Sequence, residues 1–239
     1  MEHATAIKST DVWGHGDIPS DIGRFEDIRW QNSGFSTGLK ADVIAAMARL
    51  RAAAGPGDTL LLDINCHGGP DLFGRYFMWV PPPVPVFFTG WFVSPNEYLY
   101  IEELDVPSSK ACTINVFAGT CHSGHWVNYA KANLDLGGRT VTVFAVCGPN
   151  ESSYGNLNAG LGAQPSNIWR LSVSYQSPTS GQSGLISAFP LAQTGTQIYL
   201  NTQVRPGRPG LMSSVPELWT RTPTADEVCP GGSQTITVK

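Results

Sequence analysis

The amino-acid sequence predicts an α/β fold with a mostly parallel central sheet, and three apolar runs are the basis of this prediction. The runs are DTLLLDIN (58–65), CTINVFAG (112–119) and RTVTVFAVCG (139–148), each bounded by turn-forming residues. Continuous apolar runs of this length are typical of strands that are buried on both faces. The chain between successive runs is long enough for the crossover that parallel strands require. We therefore expect the three runs to be strands of one buried sheet.

Helical signals surround these strands. The segment LKADVIAAMARLRAAA (39–54) follows Thr37, a suitable N-cap, and its apolar residues recur at helical spacing until Gly55 and Gly57 end the pattern. HWVNYAKANL, after the second run, is predicted to be a helix. Elsewhere the pattern is weaker: EYLYIEEL predicts a strand that runs into a helical turn, QIYLNTQV and QTITVK predict edge strands, and NIWRLSVSY fits a helix or a strand.

Composition excludes several classes of protein. The chain has 239 residues, of which 41% are hydrophobic, and a formal net charge of −4. This balance supports a sizeable core and gives no general reason to bind nucleic acid. The N-terminus MEHATAIKST lacks the apolar region of a secretory signal. Five cysteines without a CxxC pair are most simply interpreted as unpaired thiols, so we predict a cytoplasmic location.

The segment from Tyr76 to Pro95 is apolar and nearly free of charge. It contains Pro81, Pro82, Pro83 and Pro85, which disfavour a membrane-spanning helix. We predict an apolar surface loop or flap. Its role is left open between a substrate lid, a membrane-touching loop, a dimer contact and a simple cover over the core.

Two of the predicted strands end at residues that suit nucleophilic catalysis. The first ends at His67 and the second at Cys121. Because sites gather beyond the carboxyl ends of parallel strands, these side chains are expected to face each other. A histidine near a cysteine can stabilise its thiolate and protonate a leaving amine. The amides of Gly68 and Cys121 are natural donors for an oxyanion.

Other interpretations of these residues were weighed. Cys112, Cys147 and Cys229 are expected to be buried core cysteines, and Cys66 to fill the end of its strand. His122 is expected to point away from Cys121. Cysteine and histidine together also suit zinc. The candidate zinc ligands are Cys66, His67, Cys121, His122 and His125. A zinc site is disfavoured because adjacent Cys-His pairs cannot easily aim both side chains at one ion. No metal and no cofactor are therefore predicted.

The strand-end motifs resemble those of caspase-fold cysteine peptidases. DTLLLDINCHGGP resembles the strand and His-Gly turn of metacaspases and legumains, and INVFAGTCHSG is similar to the metacaspase nucleophile motif. CGPNESSYG resembles the segment that follows the next strand in legumains. The resemblance covers roughly residues 36–175. It implies a caspase-like α/β/α sandwich and hydrolysis of peptide bonds through a thioester.

The resemblance also implies substrate-binding residues. Metacaspases carry an aspartate two residues before the nucleophile, where this chain has Gly119, so a preference for basic residues is not expected. Glu151, Ser152 and Ser153 match a segment that borders the primary pocket in legumains, and Trp169 falls where the family builds another wall. The family's first strand is missing here, supplied by a partner, or replaced by a C-terminal strand. We divide the chain into an irregular segment, 1–35, and a peptidase domain, 36–239.

The sequence therefore predicts a cysteine endopeptidase in which Cys121 attacks a peptide or protein substrate and His67 moves the proton. Two rivals are retained. One is a catalytically silent binding or scaffold protein with the same fold, and the other is a transamidase or peptide ligase that uses the same pair of residues. A homodimer, or a partner chain that completes the sheet, is left open, whereas nucleic-acid and membrane partners are not expected.

Overall fold

The computed structural model describes residues 40–64, 66–79, 98–135, 137–153, 181–204 and 214–229. Two sheets organise this part of the chain. The larger sheet contains, in spatial order, β1 (Thr59–Ile64), β5 (Thr113–Ala118), β6 (Thr140–Ala145) and β7 (Glu217–Arg221). The smaller sheet is antiparallel and contains β2 (Gly68–Pro70), β3 (Tyr76–Trp79) and β4 (Tyr98–Tyr100).

The larger sheet is mixed but mostly parallel, which confirms the predicted α/β class. β1, β5 and β6 run parallel, so that their carboxyl ends meet at one edge. β7 joins the other side of β6 in the antiparallel direction. All three apolar runs form the predicted strands. In β5 and β6 every residue but the first is buried, as their continuous apolar sequence predicts.

In the described ranges, three α-helices pack on the two faces of this sheet. They are α1 (Lys40–Ala53), α2 (Gly124–Asn133) and α3 (Gly181–Tyr199), and α1 and α2 confirm the sequence prediction. α1 and α2 share one core with alternate residues of β5 and β6. α3 packs through Phe189 and Ala192 on the opposite face, against Phe117 and Phe144. Full burial of a side chain such as Phe144 stabilises the fold by about 1.5–3 kcal/mol.

One strand prediction that rested on alternating polarity needs correction. QIYLNTQV is not an edge strand, because α3 and a π-helical turn (Leu200–Val204) run through it. Ala192, Thr196 and Leu200 are all buried, and their spacing of four residues is that of a helix face.

Within the described ranges no helix has the length and hydropathy needed to cross a bilayer.

The apolar segment that begins at Tyr76 does not begin as a surface loop. Its first four residues form β3, and Tyr76 and Met78 are buried. β3 pairs with β2 on one side and with β4 on the other, and β4 continues into a 3-10 turn (Ile101–Leu104) as EYLYIEEL predicts. The remainder of the segment, 80–95, lies outside the described residues.

Several other predictions also fall outside the described residues: Thr37, the segment 1–35, NIWRLSVSY and QTITVK. In the part that the structure describes, β1 forms one edge of the larger sheet. The added strand at the opposite edge comes from Glu217–Arg221, a segment that the sequence did not single out.

The prediction of five unpaired thiols is wrong for two of them. Cys112 and Cys229 form a disulfide that joins residues 117 positions apart, so they are not separate core cysteines. Cys147 is fully buried, as predicted. Spacing could not reveal the pair, because it joins two distant segments. Disulfides persist mainly in oxidising compartments, so unpaired thiols no longer support the predicted cytoplasmic location.

Candidate active site

The two strand ends that carry His67 and Cys121 are neighbours in the sheet. β1 and β5 are paired in register up to Ile64 and Ala118, and the Gly119 amide extends the pairing by donating to the Ile64 carbonyl at 2.7 Å. His67 and Cys121 each lie three residues beyond the last paired residue of their strand. The parallel register therefore brings both residues to the same edge of the sheet.

Gly68 brings the turn after β1 against the turn after β5. A Cβ atom placed on Gly68 would lie 3.0 Å from the Cys121 carbonyl oxygen and 2.8 Å from the Tyr76 hydroxyl oxygen. Such contacts are too close for a side chain. The sequence needs glycine at this position because only a bare backbone allows the approach.

The Cys121 thiol is surrounded by groups of the segment 147–153. The Ser153 amide donates to Cys121 Sγ at 3.3 Å, and the thiol faces the Ser153 carbonyl at 3.5 Å. Burial raises the pKa of Cys121 above its usual 9.0, while hydrogen bonds from the Ser153 amide and the Ser152 side chain act in the opposite direction. The thiol is consequently protonated at neutral pH, although donors are in place to support a thiolate.

His67 stands at an exposed position, and β3 fixes its backbone. Its carbonyl accepts a hydrogen bond from the Trp79 amide at 2.8 Å, and the two rings lie 5.5 Å apart. Partial desolvation lowers the pKa of His67 below its usual 6.5. The free protein therefore favours a neutral imidazole and a neutral thiol, rather than the imidazolium–thiolate pair that the sequence suggested.

The Cys-His-Ser-Gly motif (121–124) packs against the loop that follows β6. His122 has a positive φ of 59°, and its amide and ring Nδ1 lie 2.8 Å from the Glu151 carbonyl and 3.0 Å from the Pro149 carbonyl. The Ser123 hydroxyl accepts from the Cys147 amide at 3.1 Å. A Cβ on Gly124 would meet Pro149 at 2.5 Å. The His122 ring thus faces the loop that follows β6, and His122, Ser123 and Gly124 each have a structural reason in their contacts with it.

The predicted substrate-binding residues meet different environments. Gly119 is buried at the strand end. Glu151 accepts hydrogen bonds on Oε2 from the amides of Gly148 at 2.8 Å and Val215 at 2.7 Å. The Ser152 side chain acts to lower the pKa of Cys121, and the Ser153 hydroxyl is buried with no hydrogen-bond partner in the described structure. Trp169 lies outside the described residues.

The two remaining free cysteines do not resemble nucleophiles. Burial and the nearby Cys121 thiol raise the pKa of Cys66 to about 12. Burial raises the pKa of Cys147 to about 11, although the Ser123 side chain opposes the shift. Groups of three or more side chains able to hold a metal ion do not occur in the described residues, and the five candidate zinc ligands accordingly do not form one there.

Sequence reasoning missed Tyr76 and Thr120, which pack against the turns that carry His67 and Cys121. The Tyr76 hydroxyl is hydrogen-bonded to the Thr120 hydroxyl, one residue before Cys121. The Tyr76 ring stacks on His125, with centroids 5.2 Å apart. No local pattern links a strand of the smaller sheet to the nucleophile turn. Only the proximity of Tyr76 to the His-Gly motif offered a signal.

Comparison with known proteins adds little about this site. No family model matches the sequence, and no curated protein matches it at a significant level. The chain is similar to a structural-genomics crystal structure of a Geobacter sulfurreducens protein, with 15% sequence identity and a TM-score of 0.47. The match covers 81% of this chain and 78% of the other. A similarity at this level carries no argument about function.

Proposed function

We propose that the protein is a cysteine endopeptidase of caspase-like architecture, with Cys121 as nucleophile and His67 as acid–base partner. One observation carries the proposal: both residues follow the carboxyl ends of adjacent parallel strands, three positions beyond the same register pair. The contact of Gly68 with the Cys121 backbone supports it, because that contact brings the two turns together.

In the proposed reaction Cys121 Sγ attacks the scissile carbonyl carbon, and the imidazole of His67 accepts the thiol proton. Collapse of the tetrahedral intermediate breaks the C–N bond, and His67 gives the proton to the departing amine. Water then hydrolyses the thioester and restores the thiol. Formation of the thiolate is coupled to attack, because the shifted pKa values favour the neutral pair beforehand.

The backbone supports the proposed oxyanion donors. The Trp79 amide donates to the His67 carbonyl, so Gly68 and Met78 form a pair without mutual hydrogen bonds. The Gly68 amide is consequently directed away from β3. Together with the Cys121 amide it provides two donors for a developing oxyanion, and loss of such a donor costs about 3 kcal/mol of transition-state stabilisation.

The proposed substrate has a neutral rather than a basic residue before the cleaved bond. Gly119 offers no carboxylate, and Glu151 Oε2 already accepts two backbone amides. Gly119 therefore offers a cationic side chain no acidic partner, and the Glu151 carboxylate is held to the backbone amides of Gly148 and Val215. A peptide library that varies the residue before the cleaved bond tests this directly, and dominant cleavage after Arg or Lys would contradict it.

Purified protein should be assayed with that library and with a peptide-derived electrophile that labels active thiols. We expect cleavage, with label on Cys121, and loss of both in Cys121→Ala. Cys66→Ala is the matched control and should keep activity. An intact Cys121 that neither cleaves nor labels would favour the silent scaffold. Transfer of the acyl group to an added amine in preference to water would favour the transamidase.

The caspase-like sandwich and the cytoplasmic location remain predictions. The Cys112–Cys229 disulfide provides a simple test of the second. Thiol-trapping in cell extracts should show free Cys112 and Cys229 if the chain resides in a reducing compartment, and a bonded pair if it folds in an oxidising one.

A further inference from the structure

Tyr76 is a buried residue that contacts both turns of the candidate site and belongs to the strand that pairs with the His67 backbone. It belongs to β3, the strand whose Trp79 amide holds the His67 carbonyl. Its hydroxyl is hydrogen-bonded to Thr120, immediately before Cys121, and would lie 2.8 Å from a Cβ on Gly68, immediately after His67. The hydroxyl thus occupies the junction between the histidine turn and the cysteine turn.

The position of this hydroxyl is fixed by its surroundings. Tyr76 is 6% exposed and Thr120 is 1% exposed, so water does not compete for their hydrogen bond. The Tyr76 ring stacks on His125 in the first turn of α2, with an interplanar angle of 14°. Burial raises the pKa of Tyr76 well above its usual 10.0, so the hydroxyl stays protonated in the physiological range.

We propose that Tyr76 is a positioning residue: its hydroxyl holds Thr120 against the His67–Gly68 turn and thereby sets the separation of the imidazole and the thiol. The inference rests on the proposed function, because it concerns the geometry of that reaction. Tyr76 does not touch the reacting atoms. It acts through Thr120 and Gly68, the neighbours of the two reacting residues.

A hydrogen bond between the strand ends matters because the reaction needs the thiol, the imidazole and the scissile carbonyl aligned together. A misplacement of about 1 Å costs on the order of 100-fold in rate. Loss of the Tyr76 hydroxyl should accordingly affect the chemical step more than substrate binding. A core tyrosine with a purely structural role would lower stability without that selectivity.

The test uses Tyr76→Phe and Thr120→Val, which remove the two hydroxyls with little change in volume, and their double mutant. Tyr98→Phe is the matched control, because Tyr98 lies in the same small sheet but on the face opposite to Tyr76, where its ring stacks on Phe77. Thr120→Ser restores a hydroxyl. Folding of every variant is verified by thermal melting before peptide cleavage is measured.

We expect each single variant to lower kcat by about 10- to 100-fold while KM changes by less than about 2-fold. The double mutant should be no worse than either single mutant, because both remove the same hydrogen bond. Thr120→Ser should recover most of kcat, and Tyr98→Phe should retain it. Should Tyr76→Phe fail to fold, Thr120→Val and Thr120→Ser carry the test.

Alkylation of Cys121 by iodoacetamide gives a readout that does not need a peptide substrate. The rate at Cys121, followed by peptide mass spectrometry, should change its pH dependence in Tyr76→Phe and in His67→Ala, but not in Tyr98→Phe. Unchanged kcat and an unchanged alkylation profile in folded Tyr76→Phe and Thr120→Val would overturn the positioning role. A wild-type chain that cleaves no peptide and whose alkylation ignores His67→Ala would instead overturn the proposed function.

Discussion

The two ends of β5 each carry a cysteine, and the two sulfurs are in opposite chemical states. Cys112, just before the strand, is bonded to Cys229. Cys121, just after it, is a free thiol that accepts a hydrogen bond from the Ser153 amide. One strand therefore separates a cysteine that cross-links the fold from a cysteine that is available for chemistry.

The surroundings of the two cysteines differ in the same way. Near Cys112, charged groups close the structure: Arg221 pairs with Asp135 at 2.7 Å and with Glu227, and it donates to the Arg139 carbonyl at 2.9 Å. Near Cys121, hydrogen bonds within the segment 147–153 and close glycine contacts hold the turns. We infer that the disulfide and the ion pairs of the first end stabilise the sheet independently of the contacts at the second end.

The largest expected effect concerns His67 at the reactive end. Replacing it with asparagine removes the acid–base group and should lower kcat/KM by about 100- to 10,000-fold. His67 is exposed, so the melting temperature should change little. His122→Asn is the matched control, since asparagine tolerates the positive φ of that position. A loss of activity confined to His122→Asn would show that His67 is not the base.

The opposite end should show the opposite response. Removing the disulfide with Cys112→Ser and Cys229→Ser should lower the free energy of unfolding by about 2–5 kcal/mol, because the closed loop spans 117 positions. Peptide cleavage well below the melting temperature should persist. Chemical denaturation measures the first quantity and an activity assay the second. Loss of activity in a folded double mutant would show that the two ends are not independent.

A smaller effect is expected from the glycine contact between the two turns. Gly68→Ala forces the new methyl group against Tyr76 and the Cys121 backbone, and should lower kcat by about 10- to 100-fold. Gly69→Ala is a control in the adjacent position, because its Cβ would have His122 Cδ2 at 4.0 Å as its nearest neighbour. Equal losses of kcat in both variants would indicate that β2 tolerates no side chain at either position. The loss in Gly68→Ala would then not be due to its specific contact with the Cys121 turn.

The smallest effect is the pH dependence of the reactive end. Partial desolvation lowers the pKa of His67 below 6.5, so the neutral imidazole persists as the pH falls, until the pH passes that lowered value. The acid limb of kcat/KM, measured between about pH 4 and pH 9, should therefore have its midpoint below 6.5. Burial raises the pKa of Cys121, so the rise of the alkylation rate of the free protein with pH should have its midpoint above 9.0. Rapid alkylation of Cys121 already near neutral pH would instead indicate an imidazolium–thiolate pair, because the pair contains the thiolate at low pH.

Sequence patterns predicted the parts of the fold that depend on local periodicity. The three buried strands, α1 and α2 were predictable because their apolar spacing decides their burial. The strand-end positions of His67 and Cys121 followed from the same strands. The disulfide, β7 and the Tyr76–Thr120 hydrogen bond were not predictable, because each joins segments that are distant in the chain. The strand predicted for QIYLNTQV failed because burial on the helix face of α3 outweighed local alternation.

The most direct test of the dyad is a chemical cross-link between its members. A short bifunctional alkylating reagent, such as 1,3-dibromoacetone, first alkylates the thiol and then bridges it to an imidazole within reach. Our account predicts a single bridge between Cys121 and His67, identified by peptide mass spectrometry and absent in His67→Asn. Bridging of Cys121 to His122 or His125, or alkylation of Cys121 without any bridge, would contradict it.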